Sequence, residues 1–137
     1  MITAVDTNVL LDVLSASPEF GGRSSEALRQ CLGDGGVVAC DVVWAETAAH
    51  FPDTDRAREA LAELRVEFSP LDERSSLVAG KRWRAYRAAG GSRSRMIGDL
   101  LIGAHAVTAA DRLLTRDRGF YRQYFADLRV LDPTDVG

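Results

Sequence analysis

Residues Ile2–Asp12 read ITAVDTNVLLD, and this stretch decides how the rest of the chain is read. Ile2, Ala4 and Val5 form a short apolar, partly β-branched run that stops at Asp6. A short apolar run bounded by a polar break reads as a buried strand. From Val9 the spacing changes: Val9, Leu10, Val13 and Leu14 recur at helical intervals, with Asp12 on the other side. A strand therefore ends at Asp6 and a helix begins within two residues. In open α/β sheets, ligands bind beyond the carboxyl ends of the strands. Asp6 lies where chemistry is expected, although Asp is also a favoured helix N-cap.

The same alternation continues outward. Ser15–Arg23 is a loop broken by Pro18, Gly21 and Gly22, and Ser24 or Ser25 caps a helix carrying Ala27, Leu28, Cys31 and Leu32. Val37–Cys40 is a second strand. Asp41 caps a helix that runs through Trp44 and Glu46 and ends after Phe51, before Pro52. Asp53 or Thr54 opens another, with Ala57, Leu61 and Leu64 inward. Val66–Ser69 is a third strand, and a long helix follows Pro70 with Leu77, Val78, Trp83 and Tyr86 inward, ending near Gly90. Gly91–Arg95 is a basic loop. Ile97–Ala110 is a helix apolar nearly all round and so deeply buried. Arg112–Thr115 is the fourth strand, Asp117–Phe125 a turn and short helix, and Leu128–Leu131 a fifth strand. Strands separated by helices imply a parallel sheet with right-handed crossovers.

The 137 residues correspond to one domain with a sizeable core, 46% hydrophobic and 27% charged. No apolar run has the length of a membrane span, and Met-Ile-Thr-Ala has no basic region of a signal peptide. Cys31 and Cys40 are too few for a disulfide framework and lack the neighbours of a zinc site. They are expected to be reduced and buried in a cytoplasmic protein. A net charge of −3 argues against a simple electropositive nucleic-acid binder. Lys81 is the only lysine among 17 cationic side chains; the rest are arginines, the better residue for phosphates.

Asp99 lies in the first turn of the most apolar helix, where the helix N-terminus favours a carboxylate by roughly 0.3–1 kcal/mol. That does not explain why so apolar a helix carries an acid. Glu46, between Val43-Trp44-Ala45 and Thr47-Ala48-Ala49, poses the same question. Asp117 follows the fourth strand as Asp6 follows the first, and the ends of strands one and four are neighbours in the common doubly wound orders. Asp6, Glu46, Asp99 and Asp117 can thus converge above one sheet edge. Such a cluster is costly unless a cation neutralises it. Oxygen-only ligands point to Mg²⁺, or Mn²⁺, rather than zinc or copper, and carboxylate sites that leave waters on the ion commonly handle phosphates.

VDTNVLLD (5–12), WAE (44–46), DLLIGAHA (99–106) and LLTRDRGFYRQY (113–124) together resemble, in order and spacing, the motifs of PIN-domain ribonucleases. Within that family the chain is most similar to VapC-type toxins. The resemblance covers essentially the whole chain. It implies a three-layer α/β/α sandwich with a central, mainly parallel five-stranded sheet. It also implies Mg²⁺-dependent cleavage of RNA, dimerisation and a cognate antitoxin partner. The family's acids carry over to Asp6, Glu46, Asp99 and Asp117, its polar residues to Thr7, Asn8 and Thr115. On this reading Asp6, Asp99 and Asp117 hold the metal, and one of the carboxylates, with Glu46 as a candidate, takes the water proton as general base. The loop 15–23 and GGSRSR (90–95) are not family motifs and leave the RNA target open.

Other readings attach to particular residues. Arg93 and Arg95, leading into Asp99, and Arg116 and Arg118, flanking Asp117, are candidate phosphate contacts. The basic-aromatic run Lys81–Arg87 reads as an ordinary amphipathic helix, with RNA stacking as the rival. His105 and His50 read as structural histidines, and Asp12 as solvated or paired. Two alternatives compete: an aspartate-nucleophile phosphatase of the HAD type, disfavoured because Asn8 stands where its second Asp is required, and a non-catalytic module binding RNA or protein. A PIN-fold RNA-processing nuclease outside a toxin–antitoxin pair is the nearest variant.

Overall fold

A computed structural model describes residues 1–91 and 97–135. The chain alternates as the spacing predicts: β1 (Thr3–Val5), α1 (Thr7–Leu14), α2 (Gly21–Asp34), β2 (Val37–Ala39), α3 (Asp41–Ala48), α4 (Thr54–Glu63), β3 (Val66–Phe68), α5 (Glu73–Ala88), α6 (Ile97–Ala109), β4 (Arg112–Leu114), α7 (Arg118–Tyr124) and β5 (Val130–Leu131). The five strands form one parallel sheet in the order β3-β2-β1-β4-β5. β1 is central because all three of its residues are buried, as the unbroken TAV run requires.

The strand order reverses between β1 and β4. Right-handed crossovers then lay the helices of the two halves on opposite faces, and a crevice opens where the order reverses. Register places Ala4 beside Val38 and Leu113, and Val5 beside Leu114, so Asp6 and Thr115 emerge side by side at the carboxyl edge. The backbone bond from Asp6 N to Leu114 O, 2.9 Å, fixes that adjacency. At the opposite edge Arg112, 6% exposed, donates to Thr3 Oγ1 and Asp34 Oδ2, both at 2.9 Å.

Helix α6 is buried along most of its length, packing against α5, α3, β1 and β4. Gly103 is required there: a Cβ at that position would lie 2.6 Å from the Phe125 ring. His105, 1% exposed, sits within 2.8 Å of Ser69 Oγ through Nε2, and burial pulls its pKa below the usual value. It is a satisfied core histidine, as expected. Cys31 and Cys40 are free and buried. Among the described residues no helix is long and apolar enough to cross a membrane.

Three local expectations are corrected. Helix α2 begins at Gly21, inside the predicted loop, where Gly21 N bonds to Ser17 O at 2.8 Å. A Cβ at Gly21 would stand 3.2 Å from Asp12 O, so this glycine marks the close approach of α2 to the end of α1 rather than a break. Asp41 does not cap α3; its carboxylate instead accepts from Leu71 N at 2.7 Å, tying α3 to the entrance of α5. Helix α5 turns Ser75, Ala79 and Tyr86 inward, leaving Leu77 69% and Trp83 38% exposed. That buried face lies on a helix packed closely against the apolar α6. Asp53 does cap α4 as predicted, accepting from Arg56 N at 2.8 Å. Leu61 is wholly buried in the core, so it is closed to any partner.

Candidate functional site

The carboxyl edge of β1 and β4 carries a network of hydrogen bonds around one carboxylate. That carboxylate belongs to Asp6. It is the N-cap of α1, with extended backbone, and its Oδ1 accepts from Thr7 N at 2.7 Å. It is also 4% exposed, an acid buried at the end of the central strand. Its Oδ2 accepts from Thr115 Oγ1 at 2.8 Å, Tyr121 OH at 3.2 Å and Asn8 Nδ2 at 3.3 Å. These bonds favour the ionised form, yet burial outweighs them and, with the nearby charge of Asp99, pushes the Asp6 pKa from 3.8 to about 6.

Thr7 and Thr115 act as bridges. Thr7 donates its hydroxyl to Glu46 Oε1 at 2.7 Å while its backbone N–H holds Asp6, so α1 links the first strand to α3. Thr115 Oγ1 donates to Asp6 and accepts from Asp117 N at 3.0 Å, which draws the start of α7 to the site. Asn8 spans both sides: its amide donates to Asp6 and Thr115, and its Oδ1 accepts from Arg116 N at 3.1 Å. Asp6, Glu46 and Asp117 thus share one network with Thr7, Asn8 and Thr115. Asp99 joins them through charge: it raises the pKa of Asp6, and with Asp6 and Asp117 it helps hold the Tyr121 phenol well above its ordinary value, after burial.

Tyr121 is the residue that sequence reasoning missed. It is fully buried and donates to Asp6. The available signal was its place one helical turn after Asp117, at the start of a helix leading out of β4.

The arginines divide. Arg93 and Arg95 lie outside the described residues. Arg116 is not presented as a phosphate contact: its guanidinium grips the buried Asp12 at 2.7 and 3.0 Å and stacks 3.9 Å from the Phe20 ring centroid. Asp12, 5% exposed, takes a further bond from Ser24 Oγ at 2.8 Å, so it is the paired member of the two readings offered for it. Arg118 is likewise committed, to Asp132 and Asp135. Both cations were drawn to acids the linear sequence leaves far away.

Every side chain facing this edge from the four acidic positions offers oxygen, the donor set of a hard divalent cation. Among the described residues, no three His, Cys, Asp or Glu side chains are gathered tightly enough to hold an ion as they stand. What fits a cation is the electrostatics: a buried carboxylate whose ionisation is opposed by desolvation and by a second carboxylate.

These features define a doubly wound α/β protein with acids at its switch point, where ligands bind outside the carboxyl ends of the strands. The profile of the PIN domain matches residues 3–126, and the chain belongs to the PIN domain family. No curated protein sequence matches the chain significantly. Among solved structures it is similar to VapBC-1 of nontypeable Haemophilus influenzae, with 24% identity over 98% of this chain and 99% of that one, at a TM-score of 0.75. It is also similar to VapBC2 of Rickettsia felis bound to a promoter DNA fragment, with 19% identity, coverage of 96% and 98%, and a TM-score of 0.74. A toxin–antitoxin complex from Klebsiella pneumoniae is similar too, with 18% identity, coverage of 96% and 97%, and a TM-score of 0.70. At these identities the likeness establishes the fold.

Proposed function

We propose that this chain is a divalent-cation-dependent endoribonuclease and the toxin of a toxin–antitoxin pair. The observation that carries the reading is Asp6: a buried acid at the switch point of a PIN fold, its pKa pushed up to about 6 by burial and by Asp99. An uncompensated charge there is unfavourable; a cation between Asp6, Asp99 and Asp117 relieves it.

Asp6, Asp99 and Asp117 would hold the ion, either Mg²⁺ or Mn²⁺. Bound there, it supplies Lewis-acid polarisation of a phosphodiester and a lower pKa for a bound water. The protein's own groups do the rest. Thr7 holds Glu46 by Oε1, which leaves Oε2 to take a proton from an attacking water as general base. Thr115 and Asn8 keep Asp6 in place and draw Asp117 toward it.

The toxin reading draws on the neighbours described as toxin–antitoxin complexes and on one surface. A groove of about 510 Å³ runs between α1, α2 and α4, walled by Val13, Leu28, Leu32 and Leu64 and rimmed by Arg29, Glu63 and Arg65. Apolar walls with a charged rim suit a partner segment. Leu64 serves this groove, whereas Leu61 belongs to the core.

The test is cleavage of a mixed RNA pool with Mg²⁺ and with EDTA, by wild type and by Asp99→Asn. Wild type should cleave only with the metal. Asp99→Asn should be folded and inactive. Undiminished Mg²⁺-dependent cleavage by the variant would sink the assignment of the site. For the partner, the chain should co-purify with the small protein encoded beside it, and Leu64→Asp should release that protein.

A further inference from the structure

The two oxygens of Asp6 are treated unequally. Oδ2 receives three donors, from Thr115, Tyr121 and Asn8, at 2.8, 3.2 and 3.3 Å. Among the described residues Oδ1 receives one, Thr7 N at 2.7 Å. A carboxylate oxygen has two lone pairs. Oδ2 is therefore saturated, and Oδ1 keeps one lone pair that no described residue uses.

The directions of these bonds are fixed by their other ends. Thr115 Oγ1 accepts from Asp117 N at 3.0 Å, so its proton is free to point at Asp6. The Asn8 amide is oriented by Arg116 N, which donates to its Oδ1 at 3.1 Å. Tyr121 can only donate to a carboxylate. Its ring is enclosed beside Phe120 and Phe125, with centroids 5.2 and 6.0 Å away. A phenylalanine would fill that space equally well. What tyrosine adds is a hydroxyl aimed at Oδ2, in a pocket where an unused hydroxyl would be costly.

We propose that Tyr121 is a positioning residue: with Thr115 and Asn8 it occupies Oδ2, so that Asp6 meets a divalent cation through Oδ1 alone and in one orientation. The inference rests on the reading of Asp6 as a cation ligand. Groups that orient a metal ligand from behind typically change affinity by 10–100-fold when removed.

The probe is Mn²⁺, titrated by calorimetry into metal-free wild type, Asp6→Asn and Tyr121→Phe, with near-ultraviolet circular dichroism to verify packing. Wild type should bind, Asp6→Asn should not, and Tyr121→Phe should bind about tenfold more weakly. A tyrosine that only fills space predicts a changed melting temperature and an unchanged Mn²⁺ dissociation constant. A folded Tyr121→Phe within twofold of wild type overturns the proposal. Absence of Mn²⁺ binding by wild type overturns it together with the reading beneath it, and so separates the two failures. Should Tyr121→Phe not fold, Thr115→Ser and Thr115→Val carry the test. Serine keeps the donor and should bind as wild type does, whereas valine should weaken Mn²⁺ comparably. Equal affinity in both overturns the proposal.

Discussion

Removing the Asp6 carboxyl as Asp6→Asn should flatten the acid side of the stability profile by a calculable amount. In the metal-free protein the Asp6 pKa lies at about 6 against an ordinary 3.8. An acid whose folded pKa is raised binds more protons folded than unfolded, so its contribution is fully present below the unfolded value and is lost as pH rises through about 6. Across the whole window the shift corresponds to about 3 kcal/mol. Between about pH 5 and about pH 7.5 the same binding expression gives about 1 kcal/mol. Over 137 residues that is a melting shift of about 4 °C. His105 works in the opposite sense. Its pKa is lowered by burial, so its contribution is present above its ordinary value of 6.5 and falls away toward acid. Wild type and variant share His105, so the difference between their profiles isolates Asp6. The assay is urea unfolding of both proteins in EDTA across this range. Wild type should lose about 1 kcal/mol more than Asp6→Asn on going from acid to neutral pH. Saturating Mg²⁺ should reverse the wild-type slope, because a bound cation favours the ionised carboxylate. Parallel profiles in EDTA would refute the claim that Asp6 is a strained buried acid.

Two further substitutions probe the surroundings. Arg116→Ala leaves the 5%-exposed Asp12, among the described residues, with the Ser24 hydroxyl as its side-chain donor, and should cost about 2–3 kcal/mol in urea unfolding because the arginine is itself partly exposed. If stability is unchanged and only RNA affinity falls, Arg116 is a phosphate contact after all. Gly103→Ala drives a methyl to 2.6 Å from the Phe125 ring and should destabilise by about 1–3 kcal/mol, with no loss beyond about 1 kcal/mol refuting the tight packing of α6.

The order of elements was legible because each strand is a compact apolar run and each helix carries its own start signal, as Asp6 and Asp53 do. Asp6 and Asp117 were legible because each follows the end of a strand, and Glu46 and Asp99 because each interrupts an apolar helix. What the sequence concealed is relational. Nothing local says that Arg116 will find Asp12, 104 positions earlier, rather than a phosphate. Nothing in the spacing of α5 says that Ser75 and Ala79 are buried while Leu77 is not. Tyr121 looked like one more aromatic in an aromatic helix, because its role depends on a carboxylate 115 residues away.

The bond from Thr115 to Asp6 spans 109 residues and has a consequence for synthesis. A ribosome adding 5–20 residues each second needs roughly 5–20 s to travel from the first of these residues to the second. Until then the middle strand has only β2 to pair with, and its acid lacks the hydroxyls that fix it. Each newly made copy therefore has an inert interval after its first acid has emerged. Whatever chemistry the edge performs starts abruptly, once the last quarter of the chain has left the exit tunnel and closed the sheet.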